Sequence, residues 1–186
     1  MTSQTFKFSA LTVALFMALS VSIYAQQTAT AAASVDRPSM QTLIGQSLSK
    51  LQQPSSEAYL NCIAELKRID AMFPDSIQPK REAALQSLYF TVMNPHAPQT
   101  ERLLTEVGET IAKMEKMTSA DQSDICTLSG FLYMVRIVQD PAQNGPRYYL
   151  DVMQNYEKAL KLNPDNQLAK QLQQRFYEGM RQQTGK

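Results

Sequence analysis

The chain has 186 residues, 44% of them hydrophobic, and a formal net charge of +1. That is enough for one domain of ordinary size with an apolar core. The near-zero charge implies no basic face, and no polybasic cluster is present to hold the chain on anionic lipid, so no nucleic-acid partner is expected. Glycine is scarce at 6, tryptophan is absent and Leu, Ala, Gln, Met and Lys recur, a composition that favours helices over strands.

Residues 1–25 read as a secretory signal peptide: one cation, Lys7, then the uncharged run Phe8–Val21, then Ala25 as the last residue before a cut. Ile23 is large for its place in such a site. The rival reading is an uncleaved membrane anchor over Phe8–Ala25, 18 residues and short for a span. A membrane is a partner only in that case. Setting Lys7 aside leaves 17 basic and 17 acidic residues in a chain expected to be exported, periplasmic or secreted. Residues 26–38, small and polar without period, read as a flexible linker, and 39–186 as the folded domain.

Seven helical stripes follow, each at three- and four-residue spacing. Met40, Leu43, Ile44, Leu48 and Leu51 make the first. Tyr59, Cys62, Ile63, Leu66, Ile69 and Phe73 make the second. The third opens near Pro79 and carries Ala84, Leu85, Leu88, Tyr89 and Val92. The fourth opens at Pro98 with Leu103, Leu104, Val107, Ile111 and Met114. Ser119 and Asp121 are placed to cap the fifth, which holds Ile125, Leu128, Leu132 and Val135. "DPAQNGP", Asp140–Pro146, reads as a loop. Leu150, Met153, Tyr156, Ala159 and Leu160 then form the sixth stripe, and Leu168, Ala169, Leu172, Phe176 and Met180 the seventh. The fold expected is all-α, with antiparallel helix pairs packed through short links.

The sixth helix stops at Asn163-Pro164 and the seventh starts at once. Proline disfavours helix in the residue before it, and Asp165 or Asn166 can cap the next helix. "FPDS" at Phe73–Ser76 repeats the device; Pro74 and Pro164 lie 90 positions apart, with a further break midway at Thr118–Asp121. Three pairs of about 45 residues plus a terminal helix fit this spacing, the mark of a helical solenoid.

"YEKALKLNPDN" resembles the second helix and exit turn of a tetratricopeptide repeat, with Tyr156, Ala159 and Pro164 at the aromatic, small and proline positions. "LSGFLYM" resembles the first helix, with Gly130 at the close-packing position and Tyr133 at a later aromatic one. The resemblance covers Ile125–Met180. It implies a short right-handed solenoid that holds peptides or partner domains and does no chemistry. The usual repeat is about 34 residues, and the "DPAQNGPR" segment is expected to lengthen the link between the helices. The Ala25-Gln26 site and "DPAQNGPRYY" are also similar to small exported repeat proteins of Bacteroidetes-type bacteria.

No constellation for catalysis, metal or cofactor is expected. His96 is the lone histidine, and zinc needs three or four ligands at set spacing. "SGF" at Ser129 lacks the strand–turn–helix setting of a nucleophile elbow. Glu109 and Glu115, six apart, fall on different sides of a helix. Met114 and Met117, the one close methionine pair of the exported part, lack the His or Cys of a soft-metal site. Cys62 and Cys126 suit two buried thiols, while an oxidising compartment leaves a disulfide between them open. A small-ligand or thiol-active role for them is the alternative from another class. The expected partner face comprises Tyr133, Arg136, Arg147 and Tyr148, residue types enriched at binding hot spots. The function expected is a protein docking scaffold of the cell envelope, its partner unnamed, or an assembly factor if the N-terminal segment stays as an anchor.

Overall fold

A computed structural model describes residues 38–184. The signal peptide and residues 26–37 of the linker lie outside the described residues. The helices are α1 (Met40–Ser49), α2 (Ser56–Met72), α3 (Ile77–Met93), α4 (Thr100–Met114), α5 (Gln122–Gln139), α6 (Pro141–Leu162) and α7 (Gln167–Thr184), with one 3₁₀ turn at Lys50–Gln52. Among the described residues there is no strand, and no helix is long and apolar enough to cross a membrane. The protein is all-α, and consecutive helices pack as neighbours.

The first residues of α3, α5 and α7 are Ile77, Gln122 and Gln167, each 45 positions from the next. These three helices also pack on one another, α3 on α5 and α5 on α7, so they form one row. α4 bridges the first two members of the row and α6 the last two. Equivalent positions of α2, α4 and α6 are filled by buried side chains: Leu66, Ile111 and Tyr156, then Ile69, Met114 and Ala159. The 45-residue period is thus a packing period.

Among the described residues, six of the seven helix starts have a local cause; α4, whose N-cap Gln99 makes no side-chain bond, is the exception. Ser39, Ser55, Asp121, Asp140 and Asn166 accept backbone N–H bonds from Thr42, Ala58, Ser123, Gln143 and Ala169 at 2.7–3.2 Å, satisfying donors that the first turn leaves open. Ser76 makes no such side-chain bond. There the buried Lys80 holds the turn instead. Its ammonium donates to Asp70 Oδ1 at 2.6 Å, to the Ser76 carbonyl at 3.3 Å and to the Pro74 carbonyl.

Two expectations need correction. The segment Asp140–Pro146 is not a loop: α6 begins at Pro141 and the whole link to α5 is Asp140. Proline fits the first helical position, and Asp140 both ends α5 and caps α6. Pro146 inside α6 withholds one N–H, a cost of ~3 kcal/mol for an interior proline. Burying Val152 and Tyr156 offsets it, since each large apolar side chain contributes roughly 1.5–3 kcal/mol. The module exceeds the tetratricopeptide length because its helices are long, 18 and 22 residues, and not because a loop was inserted. The second correction concerns α3, which lacks a single apolar face. Pro79, Lys80, Glu82, Ala83, Ala84, Leu85, Gln86, Ser87, Leu88, Phe90, Thr91 and Val92 are all buried, because α2, α4 and α5 enclose it.

Polar bridges tie the row together. Arg81 on α3 donates to Glu82 Oε1 and to Asp124 Oδ2 on α5, both at 2.6 Å. Asn166, the cap of α7, donates to Ser123 Oγ at 2.8 Å, Thr127 Oγ1 at 3.2 Å and Asp124 Oδ1 at 3.3 Å. One amide therefore caps one helix and grips the next. Gln86 is the opposite case. It stands where α5 and α7 bury Phe131 and Phe176, and its buried Oε1 has no hydrogen-bond partner.

These two side chains predict opposite signs. Asn166→Ala should lower unfolding free energy by about 1–3 kcal/mol, through the lost cap and the orphaned acceptors around it. The near-isosteric Gln86→Met should leave stability unchanged or raise it, since it removes an unpaired buried acceptor. Urea midpoints measure both; a loss of more than about 1 kcal/mol in Gln86→Met contradicts this reading of the core.

Candidate functional site

Tyr133, Tyr148 and Arg147 come together across the α5–α6 pair. The Tyr133 and Tyr148 rings stack with centroids 5.3 Å apart and planes 29° from parallel. The Arg147 guanidinium carbon lies over the Tyr148 ring, 4.9 Å from its centroid, within cation–π range. Both tyrosines are half-buried and Arg147 is exposed. The order arises from helix geometry: consecutive residues of α6 point about 100° apart, so Tyr148 meets α5 while Tyr149 meets α7, where its ring lies 5.7 Å from that of Phe176.

Arg136 does a different job. Its Nη1 donates to Glu101 Oε2 at 2.6 Å and to Gln139 Oε1 at 3.1 Å, tying α5 to α4. The bonds from Arg136 and Gln139 hold the Glu101 carboxyl below its usual range. Of the four side chains expected to face a partner, three form one cluster and Arg136 serves an internal ion pair.

The repeat-packing residues sit as follows. A Cβ on Gly130 would lie 2.8 Å from Tyr156 Cε1, so only glycine admits the ring this closely. Tyr156 is fully buried, with its hydroxyl 3.9 Å from Met134 Sδ. Ala159 packs with Cys126 and Ala169, and its carbonyl accepts from Ser123 Oγ at 2.9 Å. Pro164 is exposed in the α6–α7 turn, where its role is to end a helix.

The two thiols do not pair. Cys62 lies in the core beneath α1–α3 and Cys126 in a separate cluster with Ala159 and Ala169. The bridge left open by the sequence is thus not formed, because the stack sets α2 and α5 in different parts of the core. Burial, helped by the carboxylates of Glu65 and Glu82, pushes the Cys62 thiol up to about 12. Burial also raises Cys126.

Sequence periodicity misplaced one residue here. Leu150 was expected in the core stripe of α6, but it is 65% exposed. The inward stripe is Gly145, Tyr149, Val152, Tyr156 and Ala159, and Leu150, six residues before Tyr156, lies about 120° around the helix from it. Beside it, Tyr149, Tyr177, Met180 and Arg181 line an open cleft of about 410 Å³ between α6 and α7. His96 is exposed, and among the described residues no three His, Cys, Asp or Glu side chains gather in a way that could hold a metal ion. Comparison with protein-family models, with curated proteins and with solved structures returns no match.

Thiolate reactivity tests the burial. In native protein at pH 8, Cys62 should react with a thiol reagent at least a hundredfold more slowly than after denaturation, when both cysteines titrate. The raised value also sets a sign. The thiol's contribution to stability is complete below the unfolded value of 9.0 and declines as pH rises from there towards about 12. A free Cys62 signal in native protein contradicts the placement.

Proposed function

We propose that the protein is a non-enzymatic docking module, a tetratricopeptide-like solenoid exported to the bacterial cell envelope, where it holds a partner protein. The observation that carries the reading is the Tyr133–Tyr148–Arg147 stack. Tyrosine and arginine dominate binding energy at protein interfaces, and a stacked pair loses little rotamer freedom when a partner seats on it. The frame supports it. Each face of the row is built from rigid helices joined by short turns, so a partner would meet a preformed surface. The Gly130–Tyr156 contact and the Asn163–Asn166 turn support the tetratricopeptide likeness in the last module, while the 45-residue period departs from that family. Export rests on the layout of residues 1–25.

Affinity capture from envelope extract tests the proposal. Immobilised wild type and a Met72→Ala control, altered at an apolar residue that is 62% exposed, should retain one partner equally. A Tyr133→Ala/Tyr148→Ala variant of unchanged helicity should retain it at least roughly tenfold less, as expected for lost hot-spot residues. Equal retention by all three, or a turnover activity that survives the double substitution, would contradict the docking role.

A further inference from the structure

The start of α6 is helical against its own sequence. Residues 141–146, "PAQNGP", hold two prolines and a glycine, the two residue types of lowest helix propensity. A helical residue donates to the carbonyl four positions back. Pro146 has no N–H, so the Ala142 carbonyl lacks that donor. Between residues 141 and 151 the one fully buried residue is Gly145, which brings no side chain to the core; Val152 is the first buried side chain of the helix. Three bonds anchor the first turn. Asp140 Oδ1 accepts from the Gln143 N–H at 3.1 Å, the Asp140 carbonyl accepts from the Asn144 N–H at 2.8 Å, and Asn144 Nδ2 donates to the Arg136 carbonyl at 2.7 Å. Just beyond, Tyr148 and Tyr149 are half-buried against Tyr133 and Phe176.

We propose that residues 141–149 are a hinge with two states. In one they form the start of α6. In the other they unwind into a longer α5–α6 link, while Val152 and Tyr156, both fully buried, keep the rest of the helix packed. A segment with few buried apolar contacts opens at lower free energy than the core it borders. Opening carries Arg147 and Tyr148 away from Tyr133, so the stacked surface exists only in the helical state. A partner seated on the stack holds the hinge closed, because it binds one state and not the other. That last consequence rests on the docking reading; the opening itself does not.

Native-state amide exchange, followed by NMR on the purified protein without a partner, tests the hinge. The control is the same depth in α5, where Cys126, Leu128 and Ser129 stand as far from the helix start as Gly145, Arg147 and Tyr148 do in α6. The three α6 amides should exchange at least roughly a hundredfold faster than those controls, at a rate that low denaturant leaves unchanged, the mark of local opening. Pro146→Ala, at an exposed position, restores the missing donor and should slow them at least roughly tenfold. Tyr133→Ala removes the ring that holds Tyr148 and should speed them further. Exchange at the α5 rate, or exchange that neither substitution moves, overturns the hinge. No partner enters this measurement, so that result leaves the docking reading to the capture experiment, and a failed capture leaves the hinge intact.

Discussion

One close approach sets the geometry of the C-terminal half of the molecule. Gly130 on α5 presents bare backbone to the ring of Tyr156 on α6, and the two helices meet at a distance that no other residue at position 130 would allow. Tyr156 then fills the space between α5 and its neighbours without any exposed surface. Its position fixes the rest of α6: Val152 and Ala159 follow it inward, Tyr149 reaches Phe176, and Tyr148 is left beside Tyr133. The candidate docking surface is therefore a by-product of core packing. The same angular step that buries Tyr149 turns Tyr148 toward α5 and puts Leu150 in solvent.

The 45-residue period extends this order along the stack, but each module solves the joint between helices differently. Lys80 gathers the α2–α3 turn with three acceptors, Asp121 caps α5, and Asn166 caps α7 while reaching three side chains of α5. Arg81 carries the connection on from Asp124 to α3. α3 lies at the centre of these contacts and tolerates buried charge because its partners are arranged around it. Gln86 is the exception, a polar side chain at a position where the two later modules place phenylalanine. Its orphaned oxygen marks the module that matches the repeat least well.

Much of this was legible in the sequence. Apolar spacing located seven helices, and the stripes of α2, α4 and α7 are the ones that are buried. Asn163-Pro164 and the caps at Asp121 and Asn166 follow from backbone chemistry that acts within four residues, so a sequence displays them directly. Gly130 and Tyr156 were each legible through the resemblance to a known repeat, but their contact with each other was not. The errors have physical causes. Asp140–Pro146 holds two prolines and a glycine, which locally favour a loop, yet tertiary burial of the residues beyond them extends the helix back to Pro141. Leu150 is exposed for a separate reason: it lies about 120° around the helix from the buried Tyr156. The enclosure of α3 depends on three neighbours at once, and no one-dimensional pattern records it. Arg136 was grouped with the tyrosines by residue type, whereas Glu101, 35 positions away, claims it.

The claim that the α5–α6 contact organises the stack has a direct test in the sign of one substitution. Glycine to alanine within an ordinary exposed helix stabilises by about 1 kcal/mol. Here Gly130→Ala should instead destabilise by about 1–3 kcal/mol, because the methyl overlaps a buried ring. In a Tyr156→Leu background the same change should cost far less or turn favourable, giving an interaction energy above about 1 kcal/mol in the cycle. Chemical denaturation of the four proteins supplies the numbers. A stabilising Gly130→Ala in the wild-type background, or additive effects of the two substitutions, would show that the helices do not meet in this way.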